Sequence, residues 1–104
     1  MKRYQVRIAP TALAHIEGQT RYIARDSAAN AMQWNSRLLA AINQIGENPS
    51  HAVDESASKA TKQEVRRTNF ERTYLIYYVV NDDTQIVEIL DVRHGARRSR
   101  FERQ

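Results

Sequence analysis

The segment DVRHGARRSRFERQ, Asp91 to Gln104, gathers the side chains of this sequence best suited to chemistry. His94 can give or take a proton near neutral pH. Arg93, Arg97, Arg98, Arg100 and Arg103 surround it with guanidinium groups, which stay charged and bind phosphate or carboxylate bidentately. Arg66 and Arg67 add two more on an upstream run. Three uses fit these residues. In the first, a phosphodiester is cleaved without a metal, with His94 as acid or base and Arg67 and Arg93 on the pentavalent phosphate. That reaction needs a second proton-transfer group; Glu64, Glu71, Glu88 and Asp91 are the candidates, and no spacing singles one out. In the second, the same residues form a docking surface for an acidic protein or a nucleic acid. In the third, His94 packs or caps a strand end and the arginines are solvated.

The elements that must position these groups follow from the hydrophobic pattern. RYQVRIA alternates, with Tyr4, Val6 and Ile8 on one side, as a half-buried strand does. Pro10 ends it and suits the first turn of a helix from Thr11 to Asp26, where Leu13, Ile16, Thr20 and Ile23 recur at helical spacing. Gly18 weakens that helix by up to about 1 kcal/mol relative to Ala. Asp26 or Ser27 is placed to cap a second helix, whose apolar face is Ala31, Trp34, Leu38, Ala41, Ile42 and Ile45. Gly46 and Asn48-Pro49 stop it. The short connection makes the two helices an antiparallel hairpin.

Residues 47–62 read as a polar surface loop with room for one helical turn. KQEVRRTNF, TYLIYYVV and TQIVEILDV are strand-like, joined at Glu71-Arg72 and at Asn81-Asp82-Asp83. The middle run is apolar on both faces and belongs at the centre of a sheet. Tyr74, Tyr77, Tyr78 and Trp34 are accounted for as core. The order is β-α-α-β-β-β, an α+β fold with a helical hairpin on one face of a twisted, mostly antiparallel four-stranded sheet. Its other face is left free. Alternation sends Arg66 and Arg67 to opposite faces, and Arg93 and His94 likewise; Arg67 and Arg93 can then meet on one concave surface. Gly95 offers a positive φ for a bend before the tail.

The 104 residues suit a single domain, 1–104, with a basic tail from about residue 95, and the net charge of +4 favours acidic partners. With no cysteine and three widely separated histidines, His15, His51 and His94, no metal or thiolate site is expected. Met1-Lys2-Arg3 precedes no apolar signal core and no run approaches a membrane span, so a cytoplasmic protein without a membrane partner is expected.

The stretch YLIYYVVNDDTQIVEILDVRHGARR, preceded by VRRTNF and RYIARDSAANAMQW, resembles the RelE/ParE toxin superfamily of bacterial type II toxin–antitoxin modules, over almost the whole chain. The resemblance implies the same fold, no cofactor, and a cognate antitoxin that wraps an acidic segment over the toxin. It also implies DNA contact only indirectly, through the antitoxin complex. RelE-like members cleave mRNA on the ribosome without a metal; ParE-like members poison DNA gyrase and are not nucleases. RelE-like nucleases commonly carry an arginine just before the central strand's Leu/Val-Ile-Tyr, where this sequence has Tyr74, and a tyrosine near the C-terminus, where it has Phe101. Phe101 has no hydroxyl to exchange a proton. HGAR, His94 to Arg97, is typical of ParE-like and plasmid-stabilisation members. The resemblance therefore implies a gyrase-inhibiting toxin of the ParE-like branch that is not an enzyme, with Arg66, Arg67, Arg93, His94, Arg97 and Arg98 as target contacts. The alternatives are a ribosome-dependent endoribonuclease using His94, Arg67 and Arg93, and an inactive member that only binds antitoxin.

Overall fold

The structure, a computed structural model, describes residues 3–50 and 53–95. Strand β1 (Gln5–Ile8) leads into helix α1 (Pro10–Ala24), then α2 (Ala28–Glu47), α3 (Glu55–Thr61), β2 (Arg66–Phe70), β3 (Tyr74–Asn81) and β4 (Ile86–His94). The strands form one sheet in the order β1-β4-β3-β2. β1 runs parallel to β4, and the other two pairings are antiparallel. This is the expected α+β architecture, and β3, apolar on both faces, is an interior strand.

Local chemistry sets the boundaries. Pro10 opens α1, where its missing N–H removes no bond. Ser27 caps α2, its Oγ accepting from Asn30 N at 3.1 Å. The polar loop does contain a helix: Asp54 caps α3 by accepting from Ala57 N at 2.8 Å, and Lys62, at φ 60°, ends it. Gly46 lies within α2 and has no positive φ. It is needed for room, because a Cβ there would stand 2.7 Å from Val6 Cγ2 and 2.9 Å from Tyr4 O. Helix α2 thus lies directly on β1, and Tyr4 N donates to Gly46 O at 2.9 Å.

The main core lies between the sheet and the α1–α2 hairpin. Ala12 and Ile16 of α1 and Trp34, Leu38, Ile42 and Ile45 of α2 meet Phe70, Ile76, Tyr78, Val87, Ile89 and Val92 of the sheet. Each buried Leu, Ile or Phe contributes about 1.5–3 kcal/mol. Leu13 does not join them; it is exposed, and α1 turns Ala12 inward instead. The second sheet face is not wholly free either. Ala57 of α3 and Val65 cover Tyr77 there, with Leu75, Val79 and Leu90 packed beside them.

One irregularity governs the end of β4. Tyr78 pairs with Ile89 and Tyr77 with Asp91, so Leu90 has no opposite residue and forms a bulge. The bulge reverses the alternation: Val87 and Ile89 face the helices, and beyond it Val92 does.

Candidate functional site

Beyond Ile89, β4 outruns the short β1, and helix α1 lies beside its end. A cleft of about 570 Å³ lies there. From α1 it is lined by Ala14, His15, Gly18, Gln19, Arg21, Tyr22 and Arg25, and from the sheet by Tyr74, Val92, Arg93 and His94.

The floor is built from hydrogen bonds. Asp91 is wholly buried, and His15 Nδ1 donates to its Oδ1 at 2.5 Å. Arg93 Nη1 donates to Asp91 Oδ2 at 3.4 Å. One buried carboxylate therefore orients two basic side chains of the lining, and its own charge is matched by them. Tyr74 packs against the core, receives a hydrogen bond from Gln19 Nε2 at 3.0 Å on its hydroxyl, and meets His94 edge-on, with ring centroids 5.4 Å apart. His94 thus packs against an aromatic ring while still facing the cleft.

Electrostatically the lining is one-sided. Arg21, Arg25 and Arg93 supply the positive groups beside the imidazoles of His15 and His94, and the nearest carboxylate is the buried Asp91 behind His15 and Arg93. Arg21 and Arg25 have no carboxylate partner among the described residues. Arg25 instead lies over the Tyr22 ring, 5.9 Å from its centroid.

The residues singled out from sequence separate into three groups. Arg93 and His94 are brought together in the cleft. Arg66 and Arg67 are not: Arg66 Nη2 stands 3.4 Å from Glu64 Oε1, and Arg67 Nη1 stands 3.2 Å from Asp54 Oδ2. The register does set Arg67, opposite Tyr77, and Arg93, opposite Leu75, on one face of the sheet, but Arg67 is paired with Asp54 and does not line the cleft that Arg93 lines. Arg97, Arg98, Arg100 and Arg103 lie outside the described residues. Among the acid candidates, Asp91 alone approaches the cleft; Glu64 pairs with Arg66, Glu71 with Arg37 at 2.5 Å, and Glu88 borders a separate hollow near Arg7. Gly95 has no positive φ; its N–H donates to Thr73 O at 2.5 Å, and this bond places the end of β4 beside Tyr74. The α1 residues were missed. His15, Gly18, Gln19, Tyr22 and Arg25 recur at helical spacing along one stripe of α1, a signal readable beside the apolar stripe.

The fold class is a helical hairpin on a four-stranded mixed sheet, and the family it belongs to is set by the sequence. The family described as ParE toxin of type II toxin-antitoxin system, parDE, matches residues 6–99, and the chain belongs to it. Among solved structures, the toxin–antitoxin complex RelBE2 from Mycobacterium tuberculosis has a similar fold, with a TM-score of 0.55 at 18% identity, covering 89% of this chain and 99% of that one. No curated protein sequence matches the chain.

Proposed function

We propose that this toxin acts in the ParE manner, by contact with DNA gyrase through the basic end of β4, and that a cognate antitoxin neutralises it. The observation that carries the reading is Tyr74. Where RNA-cleaving relatives place an arginine for the scissile phosphate, this chain has a phenol held by Gln19 and packed on His94. Loss of such a cation removes several kcal/mol of transition-state stabilisation in a dry site. Asp91 is bound up with His15 and Arg93 and supports the lining as a fixed binding surface. Arg93 and His94 then act as contacts, joined by Arg97 and Arg98 of the tail.

The antitoxin reading is supported by the family and by the similar RelBE2 complex. The hairpin also exposes Leu13, Met32 and Leu39, apolar anchors on which an amphipathic segment can dock. Supercoiling by purified gyrase tests the target. Inhibition at micromolar toxin, weakened in Arg93→Gln and His94→Gln, is expected; full supercoiling with no trapped cleavage complex sinks the reading.

One observation favours ribosome-dependent mRNA cleavage as a second reading. His15, oriented by Asp91, and His94 line the same cleft, which supplies two imidazoles for acid and base. Primer extension on translated mRNA decides it: codon-positioned cuts lost in both His15→Ala and His94→Ala would put it first.

A further inference from the structure

Gly18 has no structural reason to be glycine. A Cβ built there meets nothing within 4 Å, and no positive φ requires it. In the interior of α1 it costs helix stability relative to alanine. What it does is line the cleft and leave it open. Around that opening stand three guanidiniums and two imidazoles, with the buried Asp91 behind them bonded to Arg93 and His15 and no carboxylate beside Arg21 or Arg25, and the exposed Tyr22 ring, backed by Arg25.

A positive groove next to an exposed aromatic ring is the arrangement that holds single-stranded nucleic acid: guanidiniums track the backbone and a base stacks on the ring. The cleft, at about 570 Å³, is within the range of pockets that take a ligand of nucleotide size, and is too small to enclose a duplex. An acidic peptide would use the charges but not the aromatic platform. We infer that the α1–β4 cleft binds a nucleotide unit of single-stranded DNA, with a phosphate at Arg21, Arg25 and Arg93 and a base on Tyr22, in the space Gly18 leaves open. This rests on reading the cleft as the target-contact surface, and it makes DNA a direct contact of this chain, where the family resemblance had assigned DNA contact to the antitoxin complex.

The probe is a fluorescein-labelled oligothymidylate of about ten nucleotides, followed by anisotropy with the full chain and no gyrase present. Binding is expected to weaken steeply between about 50 and about 200 mM salt, with a log–log slope near −2 for about three phosphates. Gly18→Gln adds no charge and has room to fold, yet fills the cleft; it should weaken binding by about tenfold or more without lowering the melting temperature. Tyr22→Ala, at an exposed position, should do the same by removing the platform, a loss of about fivefold to a hundredfold. A duplex of equal length should bind more weakly than the single strand. Wild-type affinity in both variants, or tighter binding of the duplex, overturns the inference, since either would mean that charge is spread over the surface. Displacement of the probe by polyglutamate at equal charge concentration, undiminished in Tyr22→Ala, would overturn it in favour of an acidic peptide. Gyrase inhibition without oligonucleotide binding would sink this inference alone; binding without inhibition would sink the gyrase reading alone.

Discussion

His15 and Asp91, seventy-six positions apart in sequence, are joined at 2.5 Å, and the carboxylate is wholly buried while the imidazole side chain is 39% exposed. This bond ties α1 to the end of β4 at the point where β1 no longer flanks it. Asp91→Ala removes the only carboxylate between His15 and Arg93. Both bases can still reach water, so the expected cost is about 2–3 kcal/mol, below that of stranding a charge in a dry core. His15→Ala takes from the buried Asp91 its 2.5 Å hydrogen bond and should cost about 2 kcal/mol. The double variant should lose less than the sum, because each single change already breaks the shared contact. Urea midpoints of the four proteins measure the coupling; strict additivity would show that the bond contributes nothing.

Gly46 sets how closely α2 can lie on β1. An alanine methyl there would press into Val6 Cγ2 and the Tyr4 carbonyl, and the second of these is backbone that cannot swing aside. Gly46→Ala should destabilise by about 1–3 kcal/mol. Gly18→Ala, in the other helix, should stabilise by up to about 1 kcal/mol, since the methyl enters open space and improves helix propensity. Thermal melts of the two variants should therefore move in opposite directions.

The fold was legible because its elements are locally consistent. Strand alternation, the Ser27 cap, the α2 stripe from Ala31 to Ile45 and the doubly apolar β3 all announce themselves in the sequence. The site was half legible. Arg93 and His94 carry chemistry by type and are found by inspection. Their neighbours are not, because the bulge at Leu90 is a property of strand pairing, and no residue at that point marks it. Without the bulge, Asp91 and not Val92 would continue the helix-facing row begun by Val87 and Ile89. Leu13 misled for a related reason: Ala12, one position earlier, takes the inward place because the hairpin packs close, and small residues permit that. The pairing of Arg67, expected as a target contact, with Asp54 was hidden because Asp54 approaches from a loop whose short helix the sequence only hinted at.

The β2–β3 turn carries local strain. Glu71 and Arg72 have φ of 53° and 61°, a region that costs residues with a Cβ about 1–2 kcal/mol. Glu71 is held there by Arg37 of α2 at 2.5 Å, a bond that also raises the Arg37 pKa. Arg72 has no such partner among the described residues. Arg72→Gly should raise stability by up to about 1 kcal/mol, part of the relief being lost to the greater freedom of glycine in the unfolded chain. Arg72→Val should lower it, since branching at Cβ is least tolerated at positive φ. A lower urea midpoint for the glycine variant would show that the turn is not strained.

Alkaline pH should loosen the other hairpin. The Tyr4 hydroxyl donates to Asp82 Oδ1 at 2.6 Å, joining the start of β1 to the β3–β4 turn. The phenol's pKa is raised above 10.0, first by that hydrogen bond, then by desolvation and by the negative charge of Asp82. A folded value above the unfolded one means that the stabilisation is complete below about pH 10 and is lost as pH climbs through the folded pKa. Tyr4→Phe cannot ionise, so the difference in urea midpoint between wild type and variant should shrink between about pH 8 and about pH 11. A difference that stays constant across that range would show that the hydroxyl bond does not form in solution.

Removal of residues 96–104 separates target contact from folding. The segment carries Arg97, Arg98, Arg100 and Arg103 but one large apolar residue, Phe101, so it has little surface to bury and much charge to present. The truncated chain should melt within a few degrees of the full one, since a segment with so little apolar surface has little stability to contribute. Growth arrest on induction without antitoxin should be lost, because the tail arginines proposed to grip the target would be gone. Co-purification with the cognate antitoxin should survive if its anchors are the exposed Leu13, Met32 and Leu39 of the helical hairpin. Melting and induced growth, measured on the same variant, answer the two halves separately. A truncated chain that unfolds would make the tail structural, and one that folds and still arrests growth would move the target contact off the arginines altogether.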